Sequence, residues 1–445
     1  MSNPSLSEYL AQSQRGLYQS VFGSEALRKA DTHFTVDTAT GIFNTTYGRK
    51  VWQSLNNQTR FFNAIPRTVW GNTAGWRVRT DRGSGRSRPV TETGALPTVD
   101  ISDIQTVSSL PRIVSTTFGA SVKSVFTAQL EGGVGDVLAL ENENAQLDHI
   151  KEINEELLAG TAFLASGGST TTFEVPAGVA KYFKVGDAIS QYNDDPAGHA
   201  RQGGSVVSAV NTSTGVVTVA SGEAFADSDI AYIYSRAGMT SIDDIVMRDG
   251  AEVGGKTSRS RAYDLTMAGR TAGGWNAGAS VSYNGGTGRA LSLTLIDTAI
   301  QKIRENGGEP KLILLGHDQY FNLERLLNSN QRYMGQEEYQ VGIGSERTYP
   351  GTRTGLVLAT YQGIPILPDA DVPKSVSTTN AVLGTNVFVL DTDYLEIAVA
   401  QPTQYVENRD YFAANALVVR GLLYTMAEMR CKNIFVQSKI ADLNA

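Results

Sequence analysis

The sequence predicts an α+β chain, and three observations predict it. Alternating apolar and polar residues flank a glycine- and arginine-rich stretch near residue 80, as the strands of a long hairpin would. One run, 136–158, repeats its apolar residues at helical spacing. A block at 168–238 carries only short strand patterns separated by turn residues. The chain has 445 residues, 41% hydrophobic and 19% charged, with 45 glycines. That supports roughly two to four structural units with packed cores and many loops.

The elements follow in order. Residues 1–50 form a polar lead. "SLSEYLAQSQRGLYQSVFG" holds Leu6, Leu10, Leu17 and Val21 partly in helical phase, and "HFTVDTATGIFNTTYG" reads as extended. This segment has too little apolar surface to fold alone and needs a partner surface. Residues 51–135 contain Trp52, Trp70 and Trp76. "AGWRVRT", "LPTVDISDIQTV" and "RIVSTTFGASVKSV" alternate as half-buried strands do. Between them lies a tip, about Asp81 to Pro97, with Gly83, Gly85 and Gly94, which cannot build a core of its own.

Residues 136–160 read as a helix with Asp136 as N-cap and Gly160 at its end. Leu140, Leu147, Ile150, Ile153 and Leu157 should face inward, and seven acids against one lysine make the other face negative. The strands of 168–238 include "SVVSAV" and "GVVTVAS", joined by the turn signal "NTSTG". Residues 239–289 are mixed and glycine-rich. "LSLTLIDTAIQKIREN" should be a helix with Leu295, Ile296, Ala299, Ile300 and Ile303 inward, stopped by "GGEP". A buried strand "KLILLG" and a second helix "HDQYFNLERLLNSN" follow, then a polar loop at 331–355, then strands to the end.

The chemistry-bearing patterns are mostly missing. The sequence has no GxxxxGK[ST], HExxH or GxSxG motif, and "GGVGDVLA" fails the dinucleotide spacing. One cysteine, Cys431, and four scattered histidines make neither a disulfide nor a zinc site. Asp391 and Asp393 in "LDTDY" read as a strand-end turn, and His317 as a helix-start residue. No enzyme activity, cofactor or metal is expected. The first residues lack a basic start with an apolar core, so no signal peptide is expected, and no apolar run reaches the roughly 18 residues of a membrane helix.

The stretch "RVRTDRGSGRSR" packs Arg77, Arg79, Arg82, Arg86 and Arg88 into a chain of net charge -7. A nucleic-acid arm would want stacking aromatics, which this tip lacks. A merely solvated loop leaves dense like charges unexplained. A contact with acidic surface on another copy suits the planar, bidentate guanidinium, and that reading is preferred.

The order of these parts resembles the major capsid proteins of tailed double-stranded DNA viruses, the Hong Kong 97-like fold. The resemblance is carried by "VTETGALPTVDISDIQTVSSLPRIVSTTFGASVKSV", "ENENAQLDHIKEINEELLAG", "GEPKLILLGHDQYFNLERL" and "GIPILPDADVP". Glu92, Gly94, Leu96 and Pro97 match the family's acidic-Gly-Leu-Pro stretch, and Glu156, Leu157, Leu158 and Gly160 its helix-ending run. The resemblance implies an N-terminal arm (1–50), an extension-loop hairpin opening a peripheral domain (51–135, the loop about 66–124) and a spine helix (136–160). It further implies an inserted all-β module (168–238), a peripheral segment (239–289), an axial domain (290–400) and C-terminal strands returning to both domains (401–445).

It also implies self-assembly through hexamers and pentamers into an icosahedral virion shell, assembled in the host cytoplasm. Such a shell encloses double-stranded DNA without sequence-specific binding and works with portal, scaffolding and cementing proteins, without a membrane. The implied subunit interface is Arg77, Arg79, Arg82, Arg86, Arg88 and Glu92. Some relatives cross-link through a lysine of the extension loop; here no lysine lies between Lys50 and Lys123. The alternatives are a nanocompartment shell protein of the same fold around protein cargo, or a β-rich surface or adhesin protein.

Overall fold

A computed structural model describes residues 59–71, 75–81, 87, 89–99, 101–128, 136–158, 162–175, 179–192, 200–220, 225, 230–233, 238–247, 261–263, 265–266, 274–285, 287–328, 334–340, 348–354, 360–375, 383–409 and 416–445. The proposed arm at 1–50 lies outside them. The architecture is mixed α/β. Two compact units divide the described residues, one within 114–151 and 402–425, the other within 59–113, 152–401 and 426–445.

From the first described residues run helix α1 (Arg60–Ala64) and strands β1 (Arg67–Val69), β2 (Gly75–Arg79), β3 (Ile104–Ser108) and β4 (Arg112–Ser121). Helices α2 (Val122–Ala128) and α3 (Val137–Leu158) follow. The expected hairpin is present: β2 and β3 pair antiparallel from Gly75↔Ser108 to Arg79↔Ile104. Asp103 closes it, accepting from the Thr80 hydroxyl at 2.8 Å and from Gln105 Nε2 at 3.0 Å, and these bonds lower its pKa.

Asp136 caps α3 as expected, its Oδ1 accepting from the N–H groups of Leu138 (3.0 Å) and Ala139 (3.1 Å). The buried stripe differs from the one read in the sequence. Val137, Ala145, His149, Ile153, Asn154, Leu157 and Leu158 are buried, while Leu140 and Leu147 are half-buried and Ile150 is exposed. Hydropathy misses this because His149 and Asn154 can occupy core positions once hydrogen-bonded.

In the first unit the His149 ring lies between Thr116 Oγ1 (3.0 Å) and Thr425 Oγ1 (2.7 Å), and Thr425 meets Thr403 at 2.8 Å. Burial holds the His149 pKa below its usual value. Phe118 stacks on Tyr405 with centroids 5.9 Å apart. Gly421 leaves room for that ring: a Cβ there would fall inside van der Waals contact with Phe118.

The second unit holds two large sheets. Strands β5 (Ala162–Leu164), β6 (Ser166–Gly168), β7 (Thr172–Glu174), β8 (Ala188–Tyr192), β9 (Ala200–Asn211), β10 (Val216–Val219) and β11 (Ile230–Ile233) form one, in the order β5-β11-β8-β9-β10-β7-β6. Its core contains Phe173, Phe183, Ile189, Val207, Val217, Phe225 and Ile233. The "NTSTG" turn is as expected: Asn211 Oδ1 accepts from the N–H groups of Ser213 and Thr214, and Gly215 takes φ +80°. One turn fastens this sheet to its unit. Lys181 Nζ donates to Ala370 O (3.2 Å), Tyr182 Oη to Asp371 O (3.4 Å), and Lys184 pairs with Glu152.

Next come helix α4 (Ile242–Ile245), the short pair β12 (Arg261–Ala262) and β13 (Leu265–Thr266), β14 (Ser280–Ser282), helix α5 (Leu293–Glu305), β15 (Leu312–Leu315) and helix α6 (His317–Asn328). The chain continues through β16 (Met334–Gln340), β17 (Thr348–Thr354), β18 (Thr360–Tyr361), β19 (Ile364–Pro368), β20 (Val387–Leu390), β21 (Leu395–Asn408), β22 (Val418–Cys431) and β23 (Ser438–Ile440). The polar "loop" at 331–355 includes an antiparallel ribbon, Met334↔Thr354 to Gln340↔Thr348. Backbone ladder bonds form as well between polar residues, so hydropathy gave no sign of it.

A six-stranded sheet, β14-β23-β20-β15-β19-β18, is the core of the second unit. Ile296, Ala299, Ile300 and Ile303 of α5 pack on one face with Ile313, Leu315, Val387, Val389 and Ile440. Because strand side chains alternate, Lys439 and its partner Phe388 point to the other face. There Lys439 Nζ meets Asp243 of α4 at 2.6 Å, both side chains fully buried. Asp391 and Asp393 do form a strand-end turn: Asp391 Oδ1 accepts from Asp393 N at 3.1 Å, and Asp393 pairs with Lys311. β1 runs parallel to the start of β21, from Arg67↔Ile397 to Val69↔Val399.

Candidate subunit-contact surface

The hairpin's base is built by alternation. In β2, Trp76 and Val78 turn inward and are half-buried, while Arg77 and Arg79 lie on the exposed face. Trp76 meets Tyr263 edge-on, centroids 4.9 Å apart, and stands opposite buried Val107. Tyr263 ties this seat to β22: its hydroxyl donates to Met429 O (2.9 Å) and accepts from Cys431 N (2.7 Å). Trp76, Val78 and Val107 line a shallow apolar cleft with Trp275, Cys431 and Ile434.

The two ends of the hairpin segment are also gripped. Glu428 and Arg430, two residues apart, share one face of β22. The Arg430 guanidinium lies 3.8 Å from the centroid of Trp70, where the chain departs toward the hairpin. Glu428 Oε1 accepts from Thr240 N at 2.7 Å, and its Oε2 is 3.8 Å from Nε of Arg112, where the chain returns. Burial pushes the Glu428 carboxyl up to about 7, against the pull of the Thr240 hydrogen bonds and of Arg112 and Arg430.

Of the six interface residues read from the sequence, Arg77 and Arg79 share one exposed strand face, and Glu92 is exposed in the turn Thr91–Gly94, closed by Gly94 N to Thr91 O at 2.9 Å. Arg82, Arg86 and Arg88 lie outside the described residues. The structure also exposes apolar residues in the same segment. Leu96 is 80% exposed, Val99 99% and Ile101 85%, and Ile104 is also exposed. The alternation of "LPTVDISDIQTV" reads as a half-buried strand, yet β3 starts only at Ile104. The sequence did hold a signal: the stretch "DRGSGRSR" ahead of these residues contains no apolar residue.

The first unit presents a second surface. One stripe of α3 carries half-buried Leu140 and Leu147, exposed Glu143 and exposed Ile150, with exposed Asp148 beside it. Burial raises the pKa of neighbouring Glu141, opposed by a hydrogen bond with Asn144 and reinforced by Asp148. This face is apolar and acidic at once; the hairpin is apolar and basic.

The family model described as SU10 major capsid protein matches residues 29–410. No curated protein matches the sequence. Among solved structures, a chain of the cyanophage A-1(L) capsid asymmetric unit is similar at TM-score 0.53 and 14% identity, over 89% of this chain and 96% of that one. A chain of Mycobacterium phage Bobi aligns at TM-score 0.44 and 10% identity, over 91% and 97%. One from the holo-SrpI encapsulin complex of Synechococcus elongatus PCC 7942 aligns at 0.43 and 8%, over 92% and 95%.

Proposed function

Starting from the fact that this chain belongs to the SU10 major capsid protein family, we propose that it assembles through hexamers and pentamers into the icosahedral shell of a virion, around a double-stranded DNA genome. The observation that carries this is the family match across residues 29–410, supported by the likeness of fold to the cyanophage capsid chain. Assembly takes place in the host cytoplasm, with portal, scaffolding and cementing proteins as partners. In this reading the hairpin is the extension loop, α3 the spine helix, the six-stranded sheet with α5 and α6 the axial domain, and the seven-stranded sheet the added β-module.

The subunit contact we propose joins the hairpin of one copy to the α3 face of the next. Magnitudes decide which residues hold it. Fully burying a Leu, Val or Ile side chain stabilises by about 1.5–3 kcal/mol, whereas an exposed arginine–carboxylate pair contributes about 0.2–1 kcal/mol. Leu96, Val99 and Ile101 therefore supply most of the affinity. Arg77, Arg79 and the arginines beyond them, opposite Glu143 and Asp148, select the partner face and speed encounter. The positive tip meets protein, not DNA.

Negative-stain electron microscopy of purified full-length chain tests this. Wild type should give closed shells or capsomer rings. Leu96→Ser, Val99→Ser and Ile101→Ser together should leave unassembled chains, while Arg77→Ala with Arg79→Ala should assemble more slowly and with weaker salt dependence. Shells from the triple variant indistinguishable from wild type overturn the contact. Particles from producing cells should carry nuclease-protected double-stranded DNA; protein-filled particles without DNA would replace the genome shell by a cargo compartment.

A further inference from the structure

The hairpin's two ends are held by chemically different grips. Arg430 holds Trp70 through a cation–π contact with no carboxylate in it. Glu428 is a carboxylate with almost no solvent contact. It is faced by Arg112 from β4, by Arg430 from its own strand, and by the N–H and hydroxyl of Thr240 from the segment ahead of α4. Arg112 is 45% exposed at its side chain and can leave this cluster for water without breaking the core.

We infer that Glu428 is a proton-operated catch on the hairpin: its ionised carboxylate holds Arg112 and the returning end of the hairpin, and protonation releases that end while Trp70 stays held. Losing the carboxylate charge removes the attraction that holds Arg112, whose half-exposed guanidinium then moves into water, while Arg430 stays buried against Trp70. The direction follows from linkage. Arg112 favours the ionised form of Glu428, so ionisation must favour the state with Arg112 in place. Its carboxyl titrates close to neutral pH because burial opposes the charge, so small pH changes within the ordinary range operate the catch.

Global stability responds with the opposite sign. The folded value, about 7, lies above the unfolded one near 4.5, so this group's contribution to stability is complete below about 4.5 and is lost as pH rises through about 7. The returning end is thus held more firmly as pH rises while the fold as a whole loses stability, and this separates release of the hairpin end from general loosening. The inference concerns the unassembled chain and stands whether or not the shell contact above is correct.

Amide hydrogen exchange of the full-length, unassembled chain from pH 5.5 to 8.5, corrected for the intrinsic pH dependence of exchange, tests it. Peptides over 109–113 should slow by about two- to fivefold as pH rises through neutrality, the size expected of a part-exposed ion pair. Peptides over 67–71 should not change. Glu428→Gln and, separately, Arg112→Gln should each flatten the 109–113 profile at its fast, low-pH level. Arg112→Gln is the safer fold, because its side chain is half in solvent. A flat wild-type profile, a pH step that survives in either variant, or equal steps at both ends would overturn the catch.

Discussion

Replacing Lys439 by Met tests how the second unit is held together. Lys439 sits in β23 inside the six-stranded sheet and meets Asp243 of α4 at 2.6 Å, with neither side chain exposed to solvent. At an effective dielectric of about 20 the attraction is about 6 kcal/mol, and it is offset by desolvation of several kcal/mol per ion. The pair as a whole is therefore close to neutral in stability, but each half depends on the other. Lys439→Met strands a buried carboxylate on α4 and should cost about 3–5 kcal/mol, a large share of a typical domain's 5–15 kcal/mol. Adding Asp243→Leu removes the stranded charge and should restore stability to within about 1–2 kcal/mol of wild type, or above it. Thermal and urea unfolding of wild type, both single variants and the double variant closes the cycle. A Lys439→Met loss below about 1 kcal/mol, or a double variant as unstable as the single one, would refute the reasoning, because either result means that Asp243 is not committed to Lys439.

Three further expectations can be checked on the same protein. His149 is buried between hydroxyls and its folded pKa lies below the ordinary 6.5. Its share of stability is therefore full above about 6.5 and falls away as pH drops through the lowered value, so the acid-side loss of thermal stability should be smaller in His149→Gln than in wild type. Gly421→Ala drives a methyl group into the Phe118 ring and should cost about 1–3 kcal/mol in a thermal shift, with Tyr405 losing its stacking partner. The tip carries no lysine between Lys50 and Lys123, so denaturing gels of assembled particles should show no covalent ladder that mass spectrometry maps to residues 81–97.

Much of the fold was legible because local rules governed it. Asp136 precedes a helix and caps it, Gly215 ends a tight turn at positive φ, and Ile296, Ala299, Ile300 and Ile303 repeat at helical spacing and are buried. The candidate surface was half legible. Charge density in a glycine-rich stretch marks exposure whatever surrounds it, so the exposure of Arg77 and Arg79 was legible. That of Leu96, Val99 and Ile101 was not, since alternation looks the same in a covered strand and in an uncovered segment.

The sequence by itself determined the class, the order of elements, the hairpin with its basic tip, the long acidic helix and the run of strands at 168–238. Each of these rests on periodicity, capping or composition, which act over a few neighbouring residues. Only the tertiary structure decided that His149 and Asn154 occupy core positions while Ile150 does not, and that Lys439 and Asp243, 196 residues apart, form one buried pair. It alone brought Trp70, Arg112, Thr240, Glu428 and Arg430 together at the root of the hairpin. Burial of a polar group depends on which distant atoms satisfy it, and no local pattern encodes the partner.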